Sequence, residues 1–315
     1  MLENYLLVLL AIVMLYFGAD WLVKGSSSLA ARLGISPLVI GLTVVAFGTS
    51  MPEMVVSVNA NLKGFGGIAI GNVLGSNIFN ICIILGLASL FNPLNVKSQI
   101  IKIDTPVMIF VALLFMLFFL DHKISRIEAI IFFILFISYN VFTVVYSKRK
   151  KDDKSIAEFS SEFKKTSKSW QLDIVYIALG LIVLIFGSKF LVDSSVAIAK
   201  FFNISETIIG LTIIAAGTSM PELATSVVAA IKKESDISIG NVIGSNIFNL
   251  IAILDVSGLI NPIISEKISK VDIGMVVFSS ILLLPLMKTS LKIKRWEGIL
   301  LLVVYGAYLF YLWPK

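Results

Sequence analysis

The sequence predicts an all-α polytopic membrane protein of ten transmembrane helices, arranged as two inverted five-helix repeats. Three observations carry this reading: an apolar composition, ten separable hydropathy peaks, and one 40-residue segment that occurs twice. Of 315 residues, 57% are hydrophobic and 15% charged, with a mean hydropathy of +0.96. Soluble domains carry about 25% charged residues. Ten spans of about 20 residues each, joined by short loops, use the whole length and leave no room for a soluble domain.

The spans fall near 4–24, 37–61, 68–91, 104–120, 125–147, 171–195, 206–231, 237–260, 271–288 and 295–313. The first lacks a basic leader: Glu3 precedes an apolar run from Tyr5 to Phe17 that continues past any small-residue cleavage site, so it reads as a retained span. Gly, Pro, Ser, Thr and Asn interrupt the second, third, seventh and eighth spans, which sets these four apart. The one long hydrophilic stretch, 148–170, reads as a solvated linker between a first repeat at 1–147 and a second at 171–315. With the N-terminus outside, the cytoplasmic segments hold 18 Lys and Arg and the outer segments 7. The positive-inside rule then places both termini outside a prokaryotic plasma membrane and the linker in the cytoplasm. The net charge of +6 is accounted for by those cytoplasmic loops and calls for no nucleic acid. The one cysteine, Cys82, excludes an intramolecular disulfide.

The duplicated segment is residues 41–80 and 210–249, aligned without a gap at an offset of 169, with 25 of 40 positions identical. A weaker echo precedes it: Phe17-Gly18 matches Phe186-Gly187, and Leu22-Val23 matches Leu191-Val192. Five spans per unit is an odd number, so the second copy enters the membrane from the opposite side. Inverted repeats with interrupted helices are the architecture of secondary transporters, whose ion sites lie near the midplane between the copies.

Glu53 and Glu222 fall mid-span at equivalent positions, where a carboxylate costs several kcal/mol and is rarely kept without a task. The pseudo-two-fold axis brings them together, and a divalent cation between them relieves their repulsion; calcium suits carboxylate and carbonyl oxygen. Pro52 and Pro221 precede the acids and remove a helical donor, freeing the carbonyls of Gly48 and Gly217 to face a cation. Thr49, Glu53 and Ser57 form one polar stripe and Asn72, Ser76 and Asn80 another. Thr218, Glu222 and Ser226 repeat the first, and Asn241, Ser245 and Asn249 the second. Neutral oxygen ligands suit sodium or calcium, although such residues also bond helices together. For Asn72 and Asn241 either role remains open. The only histidine, His122, lies in an outer loop, which argues against transition metals.

These paired segments, GTSMPE with GNVLGSNIFN and GTSMPE with GNVIGSNIFN, closely resemble the two alpha repeats of the calcium/cation antiporter superfamily. The ten-span layout resembles its prokaryotic sodium/calcium exchangers. The resemblance implies that Glu53 and Glu222 bind calcium, helped by the carbonyls of Thr49 and Thr218. It implies sodium ligands from Ala46, Ser50, Glu53 and Ser76, and from Ala215, Ser219, Glu222 and Ser245, with Asn80 and Asn249 at the remaining central position. It further implies exchange of several sodium ions, commonly three, for one calcium, as spans 1 and 6 slide against the other eight. Some relatives, including the potassium-dependent branch, carry aspartate where Asn249 stands, and the neutral residue argues against potassium co-transport. Asp255 replaces Gly86 of the first repeat; lying about 120° round the helix from Asn249, it is expected outside the central site, paired with a polar neighbour or near the interface.

The expected function is thus electrogenic, potassium-independent sodium/calcium antiport by a monomer in the lipid bilayer, with the ions as substrates and no cofactor. Calcium/proton exchange on the same two glutamates is the alternative. A channel could use the same ligands, but inverted copies favour a carrier. Intramembrane hydrolysis lacks a His-rich metal motif and a base beside any serine.

Overall fold

The computed structural model describes residues 2–149, 169–202, 215–265 and 268–312. The inner part of the linker and residues 206–214 of the expected span 206–231 lie outside the described residues. The helices are α1 Leu2–Leu33, α2 Pro37–Thr49, α3 Met51–Leu62, α4 Gly66–Phe91, α5 Ile100–Asp121, α6 Arg126–Arg149, α7 Trp170–Phe201, α8 Met220–Ile231, α9 Ser235–Ile260, α10 Lys270–Lys288 and α11 Arg295–Leu312. Among the described residues, eight are long and apolar enough to span a bilayer. The pair α2 and α3, bent by 47°, adds a ninth, and α8 is a shorter apolar helix.

Both α1 and α7 outrun their expected spans of 4–24 and 171–195, at 32 residues each. At 1.5 Å per residue that is about 48 Å, well beyond a hydrocarbon core of about 30 Å. Hydropathy fades at Lys24 while the backbone ladder continues to Arg32, so a polarity window stops too early. The two helices lie antiparallel in glycine-mediated contact. A Cβ added at Gly180 would stand 2.7 Å from Gly18 O and 2.7 Å from Leu22 N, and one at Gly25 2.7 Å from Asp173 O. Small residues let helices approach this closely in a membrane. Arg32 Nε pairs with Asp173 Oδ2 at 2.5 Å at one end of the seam.

The interior belongs to α4 and α9, whose Ile70, Val73, Ile78, Ile239, Val242 and Ile247 join one core cluster. Both helices carry a single π turn, Asn80–Ile84 and Asn249–Ile253, at positions 169 residues apart. Four two-residue strands cross-link the repeats: β1 Leu94–Asn95 pairs with β4 Lys292–Ile293, and β2 Lys123–Ile124 with β3 Ile263–Ile264. The inverted relationship extends to the turns. Gly64 and Lys233 both have left-handed φ, +80° and +64°, as do His122 and Leu291, at +59° and +53°. Local capping follows from sequence too: Ser269 and Asp272 form a capping box on α10, where each satisfies an otherwise unpaired N–H.

Candidate cation site

The two proline-interrupted helices break one residue before the motif acid's turn begins. Ser50 and Ser219 sit at the breaks with φ/ψ of −84°/6° and −87°/8°, and Pro52 and Pro221 occupy the first turns of α3 and α8. Glu53 and Glu222 follow, each fully buried.

Each glutamate is held by the serine of the other repeat. Ser50 Oγ donates to Glu222 Oε1 at 2.7 Å, and Ser219 Oγ donates to Glu53 Oε1 at 2.9 Å. Ser219 Oγ also lies 3.1 Å from Ser76 Oγ. The crossing continues outward: Thr49 Oγ1 donates to Asn241 Oδ1 at 3.1 Å and Thr218 Oγ1 to Asn72 Oδ1 at 3.4 Å. Among the described residues, Glu53 Oε2, Glu222 Oε2, Asn80 Oδ1, Ser245 Oγ and both polar atoms of Asn249 are buried without a hydrogen-bond partner. An unpaired buried polar group costs about 1–3 kcal/mol, so a cluster of buried oxygens left open beside two carboxylates is an environment that a hard cation would satisfy. No group of three or more His, Cys, Asp or Glu side chains could hold a metal among the described residues. The charge of the site therefore comes from two acids, with neutral oxygen around them.

The expected residues occupy distinct places. Ala46 O accepts from Ser50 N at 3.0 Å, and Thr49 lies in the last turn of α2. Ala215 lies in the described helical turn Ala215–Gly217, before the break. Asn72 and Asn241 are braces: Asn72 Nδ2 donates to Ser57 Oγ at 2.9 Å and to Glu53 O at 3.3 Å, and Asn241 Nδ2 to Ser226 Oγ at 3.0 Å and Glu222 O at 3.4 Å. One expectation needs correction. The carbonyl freed at Gly217 is not wholly open to a cation, because Ser188 of α7 donates to it at 2.6 Å and takes one of its two lone pairs. Asp255 is another departure: it is buried, and neither carboxylate oxygen has a hydrogen-bond partner among the described residues. The helix face set by Gly258, which abuts Ala129 of α6 and Ile124 of β2, lies about 60° from it.

Asn77 and Asn246 were not singled out from sequence, although they stand in the duplicated GSNIFN. Asn77 Nδ2 donates to Asn246 O at 3.1 Å, which ties α4 to α9 where they cross. Their identity in both copies was the available signal.

Inverted broken helices that bring two buried carboxylates under one oxygen-lined cluster define a cation carrier. The model of the sodium/calcium exchanger protein family matches residues 3–145 and again 172–313, and the chain belongs to that family: it is a multi-pass membrane cation antiporter and not an enzyme. It is 40% identical over 320 residues to a putative antiporter, CaxA, of Alkalimonas amylolytica, covering 100% of both chains. It is 35% identical to the sodium/calcium exchanger MaX1 of Methanosarcina acetivorans over 97% of each. A solved structure of the sodium-calcium exchanger NCX_Mj superposes with a TM-score of 0.85 at 34% identity, covering 99% of both chains.

Proposed function

We propose that this chain exchanges sodium for calcium across a prokaryotic plasma membrane by alternating access, without potassium. The observation that carries the reading is the reciprocal pair Ser50–Glu222 and Ser219–Glu53, which makes one site from two half-sites. In this reading Glu53 and Glu222 take calcium between them, with Thr49 and Thr218 lending carbonyl oxygens. Sodium is held by Ala46, Ser50, Ser76 and Asn80 with Glu53, and by Ala215, Ser219, Ser245 and Asn249 with Glu222. Two carboxylates neutralise one calcium, whereas three sodium ions would leave one positive charge, so exchange would respond to membrane potential. Sodium as the coupling ion is supported by the likeness to MaX1 and NCX_Mj, which are named as sodium/calcium exchangers. The neutrality of Asn249 supports independence from potassium.

Alternating access is supported by a break in the repeat symmetry. Ala19, Leu22 and Val23 of α1 cluster with Val228 and Ala229 of α8. The equivalent α3 face is bare: Val56 is 40% exposed, whereas its counterpart Thr225 is fully buried. Asp20 of α1 pairs with Lys232 beyond α8. By the loop charges the covered side is cytoplasmic and the bare side external. The chain would then be a first repeat at 1–147 and a second at 171–315, joined by a cytoplasmic linker at 148–170 and working as a monomer with both termini outside.

Reconstitution tests the proposal. Calcium uptake into sodium-loaded vesicles should exceed uptake into potassium-loaded controls, and an imposed pH gradient should not replace sodium. Equal uptake with sodium and potassium would reject sodium coupling; uptake driven by the pH gradient alone would select calcium/proton exchange.

A further inference from the structure

The amide groups where α4 and α9 cross can be oriented from their neighbours. Asn246 Nδ2 lies 3.5 Å from Asn77 O and 3.7 Å from Met108 Sδ. A carbonyl and a thioether only accept hydrogen bonds, so turning Asn246 over would set its oxygen against two acceptors. Its Oδ1 therefore faces the other way, where Asn80 Nδ2 stands at 3.0 Å. An oxygen there demands a donor, so Asn80 must present its NH2 to Asn246. The second atom of the Asn80 amide, Oδ1, then turns away and is left buried without a partner. It stands one turn beyond Ser76 on the same face of α4, where the π turn Asn80–Ile84 packs against α8, the helix of Glu222.

We propose that Asn246 is a positioning residue, which locks the Asn80 amide with its oxygen, rather than its NH2, turned toward the cation site. The inference rests on the reading that Asn80 lines that site, and extends it: the Asn80 oxygen faces whichever cation fills the shared cavity, calcium as well as sodium. An unanchored asparagine can flip, and an NH2 turned toward a cation repels it. The second repeat lacks the equivalent lock: Asn77 Oδ1 and both atoms of Asn249 have no partner among the described residues. The amide of Asn80 is thus pre-oriented, whereas no hydrogen bond among the described residues orients that of Asn249. The two halves differ although their motifs match.

Calcium binding to the purified, full-length protein in sodium-free buffer tests this, with gel filtration and thermal melting as checks on folding. Asn246→Leu, and the smaller Asn246→Ala, should weaken calcium about tenfold, a loss of about 1.4 kcal/mol. Asn77→Leu removes the pseudo-symmetric residue from the same crossing and should leave calcium affinity within about twofold, whatever it does to melting. Asn80→Asp presents oxygen in either orientation and needs no lock. In that background Asn246→Leu should therefore cause no further loss. An equal loss from Asn77→Leu, or an undiminished Asn246→Leu effect in the Asn80→Asp protein, would overturn the positioning role. So would unchanged binding in a folded Asn246→Ala variant. Failure of the wild-type protein to bind calcium at all would instead reject the function proposed above.

Discussion

Ser50 donates a 2.7 Å hydrogen bond to Glu222, across the boundary between the two repeats, and its counterpart Ser219 donates one of 2.9 Å to Glu53. Each acid is thus oriented by the copy to which it does not belong. Hydrogen bonds to charged groups contribute about 1.5–3 kcal/mol, or about 10- to 100-fold in an equilibrium. Ser50→Ala and Ser219→Ala should each raise the sodium concentration for half-maximal exchange by a factor in that range. Sodium-dependent calcium flux at graded sodium reads it, and a large effect at one serine with none at the other would break the reciprocity.

Asp20 holds α1 against the hairpin after α8, pairing with Lys232 and also with Lys24 at 2.7 Å. Removing one partner of this link should favour opening on that side. Cysteines placed at Val56 and Thr225 report the two faces, with Cys82 buried and silent. In the parent, the Val56 site should react with a maleimide and the Thr225 site should be protected. Lys232→Gln should raise labelling at Thr225 and lower it at Val56; unchanged labelling of both would deny the contact a part in the closed face.

Glu234 lies in the turn between α8 and α9. Burial pushes its carboxyl up to about 7, and the neighbouring Asp236 charge adds to this. Ser27, Lys232 and Lys97 oppose the shift. The folded protein thus holds this proton more tightly than the unfolded chain, whose glutamate titrates near 4.3. The contribution favours folding at pH 4 and is lost as pH rises through about 7. Glu234→Gln should raise the melting temperature at pH 8 and leave it unchanged near pH 4; the opposite ordering would contradict the assigned burial.

Lys233 takes the left-handed conformation, φ +64°, that Gly64 takes in the first repeat, and its side chain is exposed. A non-glycine residue there costs about 1 kcal/mol. Lys233→Gly should raise thermal stability by about that amount, offset in part by the entropy of the unfolded glycine. A melting temperature that falls would show that the lysine side chain stabilises the turn.

Much of this architecture was legible because the duplication states it twice. Glu53 and Glu222, the breaks just before Pro52 and Pro221, and the polar stripes follow from residue type and an offset of 169. What the sequence hid depends on where partners fall in space. The length of α1 and α7 is set by backbone hydrogen bonds that ignore polarity. Ser188 reaches Gly217 from a different span, and no local pattern announces it. Asn77 and Asn246 matched in both copies, yet only the crossing of α4 and α9 shows which amide oxygen is tied and which is open. The asymmetry between α3 and α8 is a property of tertiary packing, and a near-symmetric motif pair cannot encode it.

Equilibrium binding of radioactive calcium to the purified protein tests the central claim, one site from two half-sites, most directly. Wild type should bind one calcium per chain, and Glu53→Gln or Glu222→Gln should each abolish binding entirely. A variant that keeps half the sites at unchanged affinity would show two independent sites and contradict the account.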